Sequence, residues 1–246
     1  MQLENKTAIV TGGGSGFGAG IADLFSKNGA NVIVADINIE SATNVADQVG
    51  GMAVQVDVSD TKSVEAMKST VLEKNTKIDI LINNAGTTHL PAPMETISEN
   101  EFDKVFKVNC KSVYLMAKEF VPHFKENKSG VILNVASTAG VSPRPNLNWY
   151  NASKGWMILA SKTMAVELAP FGIRVNVINP VAGETPLLKS FLGEDTPEMR
   201  AKFLSTIPLG RFSLPGDIAS AAMFLCSEAA SMITGASLEI DGGRTI

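Results

Sequence analysis

Seven short runs of apolar, mostly β-branched residues alternate with longer helical patterns, and this alternation constrains the fold more than any other feature of the sequence. Most runs are continuously apolar, which is typical of parallel strands that helices cover on both faces. The runs span 7–11, 31–36, 52–57, 78–84, 130–137, 173–180 and 237–241. They predict a doubly wound α/β fold with a seven-stranded parallel sheet.

Length and charge narrow the functional classes. The 246 residues, 45% hydrophobic and 19% charged, predict one domain over 1–246. The net charge of -4 and the scattered lysines argue against a nucleic-acid partner. No signal peptide or long apolar window is present, so we expect a cytoplasmic protein without a membrane partner. Prolines break the alternation at about 181–212, which we interpret as a substrate loop with short helices.

Cysteine and histidine positions offer neither a disulfide framework nor a metal site. Cys110 and Cys226 lie in separate helical patterns and are expected to be small buried hydrophobes. His89 and His123 are far apart and have no cysteine at metal-ligand spacing. The sequence therefore predicts no bound metal.

A glycine-rich stretch, TGGGSGFGAG at 11–20, joins the first run to a helical pattern. Gly12, Gly16 and Gly18 fit a G-x-x-x-G-x-G turn, although a G-x-G-x-x-A register starting at Gly14 also fits. Such a turn lets the backbone approach a pyrophosphate at a helix N-terminus. Asp36 ends the second run 18 residues after Gly18, where a carboxylate can bind a ribose 2'-hydroxyl; a surface acid at a strand end is the alternative.

Tyr150 and Lys154, in WYNASKG at 149–155, are spaced so that they share one face of a helix. Alone, this spacing is equally compatible with a core tyrosine and a solvated lysine. An ammonium near a phenol favours the phenolate, so the pair is also a candidate acid/base site.

Five motifs in order resemble the short-chain dehydrogenase/reductase family, and the resemblance covers essentially the whole chain. They are T-G-x-x-x-G-x-G at 11–18, NNAG at 83–86, Asn109, Ser137 and Y-x-x-x-K at 150–154. The resemblance implies a Rossmann-type dinucleotide-binding catalytic domain. It also implies hydride transfer between a nicotinamide and a carbonyl carbon.

The resemblance implies four catalytic residues. Tyr150 would be the general acid/base, and Lys154 would lower its pKa and bind the nicotinamide ribose. Ser137 would hold the substrate oxygen, unless it only caps a turn. Asn109 would bind a water that relays protons from Lys154, unless it only packs between strand ends.

The implied cofactor contacts extend along the carboxyl ends of the strands. Asp57 would bind the adenine amino group, and Asn83 would either line the adenosine ribose or stabilise the sheet. The full set is Gly12, Ser15, Gly16, Phe17, Gly18, Asp36, Ile37, Asp57, Val58, Asn83, Ala85, Gly86, Tyr150, Lys154, Pro180, Gly183 and Thr185. One departure is Val181, where the family usually has glycine, which leaves the path of the loop to Thr185 open.

The cofactor is predicted to be NAD. Related enzymes that accept NADP usually place a basic residue just after the acid or just before the second motif glycine, whereas this chain has Ile37 and Ser15 there. Asp36 would also repel a 2'-phosphate.

The substrate is less constrained. Candidate pocket residues are His89, Ala139, Arg144, Trp149, Leu187 and Leu188, which suggest a mainly apolar pocket. His89 and Arg144 could equally be solvated loop residues. We expect a dehydrogenase that interconverts a secondary alcohol and a ketone; the alternatives are an NADPH-dependent 3-oxoacyl-carrier-protein or acyl-CoA reductase and a non-catalytic dinucleotide sensor or scaffold.

The helix pattern at 216–230 and the C-terminal strand and tail resemble subunit contacts of the family, which implies a homotetramer.

Overall fold

The computed structural model describes residues 2–74 and 77–246, and seven strands within these ranges form one sheet. The strands are β1 (Thr7–Thr11), β2 (Asn31–Asp36), β3 (Met52–Gln55), β4 (Ile80–Asn83), β5 (Gly130–Val135), β6 (Ile173–Pro180) and β7 (Ser237–Ile240). All neighbouring strands are parallel, in the order β3-β2-β1-β4-β5-β6-β7. The predicted seven-stranded parallel sheet is confirmed.

The connections between strands are helical. The α-helices in the described residues are α1 (Gly16–Lys27), α2 (Ile39–Val49), α3 (Thr61–Lys74), α4 (Glu99–Phe106), α5 (Ser112–Glu126), α6 (Asn148–Leu168), α7 (Leu188–Leu192), α8 (Pro197–Leu204) and α9 (Pro215–Cys226). A π-helical turn, Lys107–Lys111, joins α4 to α5. The short helices α7 and α8 occupy the stretch where the sequence pattern predicted a loop with short helices.

The sheet has a core on each face. Along β1, Ala8 and Val10 pack in a cluster with residues of α1, α2 and α9, whereas Ile9 packs in a second cluster with residues of α3, α5 and α6. Successive strand residues point to opposite faces, so a continuously apolar strand supplies both clusters. This explains why the seven runs lack polar alternation, and it confirms helices on both faces.

Cys110 and Cys226 are buried and free, as predicted from their helical patterns. Among the described residues, no helix has the length and apolar character needed to cross a membrane. The same residues include no group of three or more His, Cys, Asp or Glu side chains arranged to hold a metal ion.

Candidate active site

A cleft of about 600 Å³ opens at the carboxyl ends of the strands. The strand order reverses between β1 and β4, because β1 leads outward to β2 and the chain returns to the other side of β1 with β4. In open parallel sheets this switch point is where ligands bind. The cleft reaches from Asp36 at one end to Tyr150 at the other. One cleft is therefore lined both by predicted cofactor-binding residues and by predicted catalytic residues.

The glycine-rich turn between β1 and α1 forms one wall of the cleft. Gly12 and Gly16 have φ of 61° and 53°, a left-handed conformation that favours glycine. Gly14 does not adopt it, so the backbone favours the G-x-x-x-G-x-G register. Ser15 is the N-cap of α1 but makes no capping hydrogen bond with its side chain. The first-turn N–H groups and the positive end of the helix dipole therefore remain available to an anion such as a pyrophosphate.

Gly18 contributes packing rather than a cleft contact. A Cβ added there would lie 2.1 Å from the Gly12 carbonyl oxygen and 2.6 Å from Asn84 Nδ2. The absence of a side chain thus lets α1 approach the turn closely, which is the role expected of the third motif glycine.

We expect Gly18→Ala to lower the free energy of unfolding by about 1–3 kcal/mol, because α1 must move away from the turn. Gly216→Ala is the matched control, since a Cβ at Gly216 in α9 meets no atom within 4 Å and alanine is the better helix former. Urea denaturation measures both. Equal stability of the two variants would refute the packing role of Gly18.

Asp36 lies at the far end of the cleft, where the sequence analysis placed a ribose contact. Its Oδ2 accepts a hydrogen bond from Gly14 N at 2.9 Å, and its Oδ1 accepts one from Asn38 N at 3.0 Å. These bonds fix the carboxylate against the glycine turn. Ile37, Asp57 and Val58 line the cleft as well.

Two adjacent asparagines, Asn83 and Asn84, differ in their positions. The sequence left open whether Asn83 lines the cleft or stabilises the sheet. Asn83 is buried and does not line the cleft; its Nδ2 donates to Asn134 Oδ1 at 2.7 Å, and Asn134 Nδ2 donates to Ser161. Asn84, which the sequence analysis missed, lines the cleft and donates to the carbonyls of Thr11 and Gly12. Asn83 therefore stabilises the sheet, whereas Asn84 ties the glycine turn to β4.

The opposite end of the cleft holds the tyrosine. Tyr150 is buried near the start of α6 and lines the cleft together with Ser137, whose side chain acts to lower the pKa of the tyrosine. Its ring packs against Phe191 of α7, with centroids 5.1 Å apart. Ser137 follows β5 and is held in place because its Oγ accepts a hydrogen bond from Ala139 N. A carbonyl or hydroxyl group placed between the two hydroxyls would contact both.

The side chains of Lys154 and Asn109 both lie next to Gly86. The Lys154 Nζ donates to the Val135 carbonyl at 3.0 Å, and a Cβ at Gly86 would lie 3.4 Å from that Nζ and 3.5 Å from Asn109 Oδ1. Asn109 lies in the π-helical turn and is fully buried. Its side chain bonds the backbone N–H and C=O of Thr87 and donates to Ser153. Both amide hydrogens of Asn109 are thus already used, and the residue does not line the cleft.

The electrostatics differ from the sequence expectation. Lys154 Nζ is 5.9 Å from the centre of the Tyr150 ring, yet burial raises the pKa of Tyr150 to about 12, and the Ser137 side chain only partly offsets it. Burial also lowers the pKa of Lys154 to about 8. Desolvation of the phenolate thus shifts the pKa of Tyr150 in the direction opposite to the one expected from the Lys154 ammonium.

The loop after β6 follows a definite path. Gly183 bridges to Ser213, and a Cβ at Gly183 would lie 2.5 Å from the Phe17 ring. Val181, at the position where glycine was expected, is buried in an apolar cluster with residues of α7 and α8. Thr185 packs against Gly16, since a Cβ there would lie 3.2 Å from the Thr185 side chain. The loop thus closes over the glycine turn, with its close approach shifted to Gly183.

The predicted substrate residues divide into two groups. Ala139, Arg144 and Leu187 line the cleft. His89, Trp149 and Leu188 do not: Trp149 packs edge-on against Phe102 and donates to the Met94 carbonyl, and Leu188 belongs to the apolar cluster under the loop. His89 is buried, with Nδ1 2.8 Å from the Leu90 carbonyl oxygen. Lining residues that the sequence analysis missed include Lys104, Leu147 and Phe203.

Comparison with known proteins identifies the family. A family model described as Enoyl-(Acyl carrier protein) reductase matches residues 12–245. The 4-formylbenzenesulfonate dehydrogenase of Comamonas testosteroni is 48% identical, with all of both chains covered. This chain belongs to the short-chain dehydrogenase/reductase family. The resemblance inferred from its five motifs is confirmed.

Other short-chain dehydrogenases/reductases match over the same length. The crystal structure of a 3-ketoacyl-(acyl-carrier-protein) reductase from Brucella melitensis, complexed with NADH, has a TM-score of 0.95 and 50% identity, and the match covers 99% of this chain and 100% of that one. The 3-oxoacyl-[acyl-carrier-protein] reductase of Thermotoga maritima is 37% identical, with both chains covered completely. Members of both kinds, dehydrogenases and reductases, are therefore relatives of this oxidoreductase, and the NADH-bound neighbour supports a nicotinamide dinucleotide as its cofactor.

Proposed function

We propose that this protein is an NAD(H)-dependent oxidoreductase that interconverts a secondary alcohol and a ketone, with Tyr150 as the general acid/base. The observation that carries the proposal is that one cleft has a predicted ribose-binding residue at one end and predicted catalytic residues at the other. Asp36, which suits a ribose 2'-hydroxyl, lies at one end, and Ser137 and Tyr150 line the other end together. A nicotinamide dinucleotide bound between them would accept or supply the hydride.

The residues at the buried end fit a proton-coupled hydride transfer. In the oxidation direction, Tyr150 removes the hydroxyl proton while the carbinol hydride leaves for the cofactor; in reduction, Tyr150 returns the proton to the carbonyl oxygen. Ser137 donates to or accepts from the same oxygen and fixes its position. Lys154 supplies a positive charge that favours the phenolate and lies where it can bind the nicotinamide ribose. For Asn109, we propose that it positions the Gly86–Thr87 backbone beside Lys154.

The two directions should depend on pH differently. Burial raises the pKa of Tyr150 to about 12, so the phenol needed for reduction is present throughout pH 6–9, whereas the phenolate needed for oxidation increases about tenfold per pH unit. We expect kcat/KM for alcohol oxidation to rise with pH across this range. Ketone reduction should be flat near pH 6 and decline around pH 8, where half of the Lys154 side chains have lost their proton.

Initial rates in both directions measure these profiles, and an alcohol deuterated at the carbinol carbon shows whether hydride transfer limits the rate. A flat oxidation profile from pH 6 to 9, with a full deuterium isotope effect, would contradict Tyr150 as the base.

A second candidate is an aldehyde dehydrogenase. The relative with 48% identity is named for 4-formylbenzenesulfonate, an aromatic aldehyde. The hydrate of an aldehyde presents the same H–C–O–H unit as a secondary alcohol, so the same site could oxidise it to a carboxylic acid. Substrate screens should therefore include aldehydes.

The carrier-protein reductase alternative is favoured by the structural neighbour with 50% identity. The substrate distinguishes this alternative from the proposed dehydrogenase, since an acyl carrier presents its ketone as part of a thioester on a long prosthetic group. A rate with acetoacetyl-CoA that exceeds the rate with every simple ketone would place this alternative first.

We also propose that the protein is a homotetramer in the cytoplasm. In the region predicted to form subunit contacts, several apolar side chains are exposed, including Phe224 on α9, Leu238 on β7 and Ile246. Exposed apolar surface of this kind is typical of protein interfaces. Light scattering at micromolar concentration should give about four times the chain mass of 26.0 kDa. A mass of one chain would contradict the assembly.

A further inference from the structure

Two arginines converge on one phenylalanine beside the catalytic end of the cleft. The guanidinium carbon of Arg144 lies 3.7 Å from the centre of the Phe203 ring, and that of Arg244 lies 5.8 Å from the same centre. Arg144 and Phe203 line the cleft together with Tyr150. Two positive charges are thus gathered near the acid/base.

Neither arginine forms an ion pair with an acid in residues 2–74 and 77–246. The ion pairs in these ranges do not include Arg144 or Arg244. Arg144 makes one long contact, 3.5 Å, with the Thr206 hydroxyl, and the Nε of Arg244 is buried without a hydrogen-bond partner. Burial lowers the pKa of Arg244, and Asp241 attracts Arg244 electrostatically and acts to raise that pKa, but the Asp241 carboxylate accepts its hydrogen bonds from the Gly243 backbone and from the Thr245 backbone and hydroxyl.

The other arginines around this region are fully engaged. Arg200 pairs with Asp195 and Glu184, and Arg211 pairs with Asp217 in a bidentate arrangement. Arg144 differs from these two arginines in that it forms no ion pair within the described residues.

Burial without an acidic partner is energetically unfavourable for Arg144. It lowers the pKa of Arg144 to about 10, and the neighbouring Arg244 acts in the same direction. A partly buried guanidinium without a carboxylate is costly unless a ligand supplies the negative charge. Its planar fork is well suited to bind a carboxylate or sulfonate through two hydrogen bonds.

The position of Arg144 is fixed relative to the catalytic tyrosine. Asn151, the residue after Tyr150 on α6, donates from Nδ2 to the Arg144 carbonyl at 2.7 Å. Leu147 and Phe191 line the cleft on the same side. The site thus combines a cationic end, an apolar middle and the Ser137–Tyr150 pair.

We propose that the substrate carries an oxyanion, a carboxylate or sulfonate, which Arg144 binds with Arg244 reinforcing the charge, while its alcohol or carbonyl group lies against Tyr150. This inference rests on the proposed function, because it assigns a substrate class to the same site. Lys104 also lines the cleft but is exposed on α4, so it serves as the competing candidate in the test.

Matched ketones test the proposal in steady-state assays with NADH. The probes are 3-oxobutanoate, 4-oxopentanoate and 4-acetylbenzoate, each compared with its uncharged methyl ester. We expect the wild type to prefer the best carboxylate over its ester by about 10- to 100-fold in kcat/KM, as a charge-assisted bidentate contact provides. Arg144→Met, which keeps the apolar stem over Phe203, should reduce the ratio to near 1.

Three further variants locate the charge. Arg144→Lys should retain part of the preference, Arg244→Met should reduce it less than Arg144→Met does, and Lys104→Met should leave the ratio at the wild-type value. A wild-type ratio near 1, or a ratio that falls with Lys104→Met but not with Arg144→Met, would overturn the proposal.

A binding measurement separates this inference from the proposed function. Titration calorimetry of the NADH-loaded protein with benzoate and with benzamide needs no turnover. We expect benzoate to bind at least about 10-fold more tightly than benzamide, and Arg144→Met to abolish the difference. If no ketone reacts but benzoate is preferred, the proposed function fails and the anion site stands. If ketones react but benzoate and benzamide bind equally, the anion site fails alone.

Discussion

Replacing Tyr150 with phenylalanine is expected to lower kcat by about 10²- to 10⁴-fold, the range that general acid/base catalysis contributes. The phenyl ring can keep its packing against Phe191, 5.1 Å away, so only the transferable proton is lost. The affinity for NADH, measured by fluorescence titration, should stay close to the wild-type value.

The chain provides a matched control, since its second tyrosine, Tyr114, is exposed on α5 and does not line the cleft. Tyr114→Phe removes the same hydroxyl and should leave kcat unchanged. If the folded Tyr150→Phe variant turned over as fast as Tyr114→Phe, Tyr150 could not be the acid/base.

The wild type is expected to prefer NAD(H) over NADP(H) by at least about 100-fold in kcat/KM. A 2'-phosphate at the end of β2 would face the Asp36 carboxylate, and like charges about 4 Å apart repel by a few kcal/mol at a surface-like dielectric. Ile37, the next residue, is 64% exposed and offers no positive charge. Ser15, before the second motif glycine, is uncharged as well.

The double variant Asp36→Ala with Ile37→Arg should narrow this preference, because it removes the repulsion and supplies a phosphate partner. Asp36→Asn is the control for the loop, since its single amide oxygen can accept one of the two hydrogen bonds, from Gly14 N or from Asn38 N, while the charge is lost. It should narrow the preference less than the double variant does. Equal use of NADPH and NADH by the wild type would refute this interpretation of the strand end and favour the carrier-protein reductase.

The elements of the sheet were predictable because parallel strands buried on both faces need continuous apolar runs. The residues at which the strands end were not predictable from those runs. The runs at 52–57 and 130–137 continue past β3 and β5, which end at Gln55 and Val135. The extra residues leave the sheet and line the cleft, and hydrophobicity does not distinguish a strand residue from an apolar cleft wall.

Sequence motifs could not predict which of several similar residues reach the cleft, because this depends on the three-dimensional packing. Asn83 and Asn84 have the same chemistry, and alternation at the end of β4 decides which one enters the sheet core and which one reaches the glycine turn. Leu188 and Trp149 carry apolar side chains that suit a pocket, but both are occupied by packing within the protein. Phe203 was missed because it lies in α8, distant in sequence from every motif.

The pKa of Tyr150 shows a different limit. The sequence places an ammonium one helical turn from the phenol and so indicates a lowered pKa. How deeply the hydroxyl is buried depends on α7 and the loop after β5, and this burial reverses the direction of the shift.

A screen of secondary alcohols and aldehydes with NAD and with NADP, followed through the absorbance of the reduced nicotinamide, tests the central claim most directly. The wild type is predicted to reduce NAD with at least one of these substrates and NADP far more slowly, and Tyr150→Phe is predicted to show neither reaction. A folded wild type that binds NADH but oxidises none of the alcohols or aldehydes and reduces none of the corresponding ketones would contradict the claim and favour a non-catalytic dinucleotide sensor.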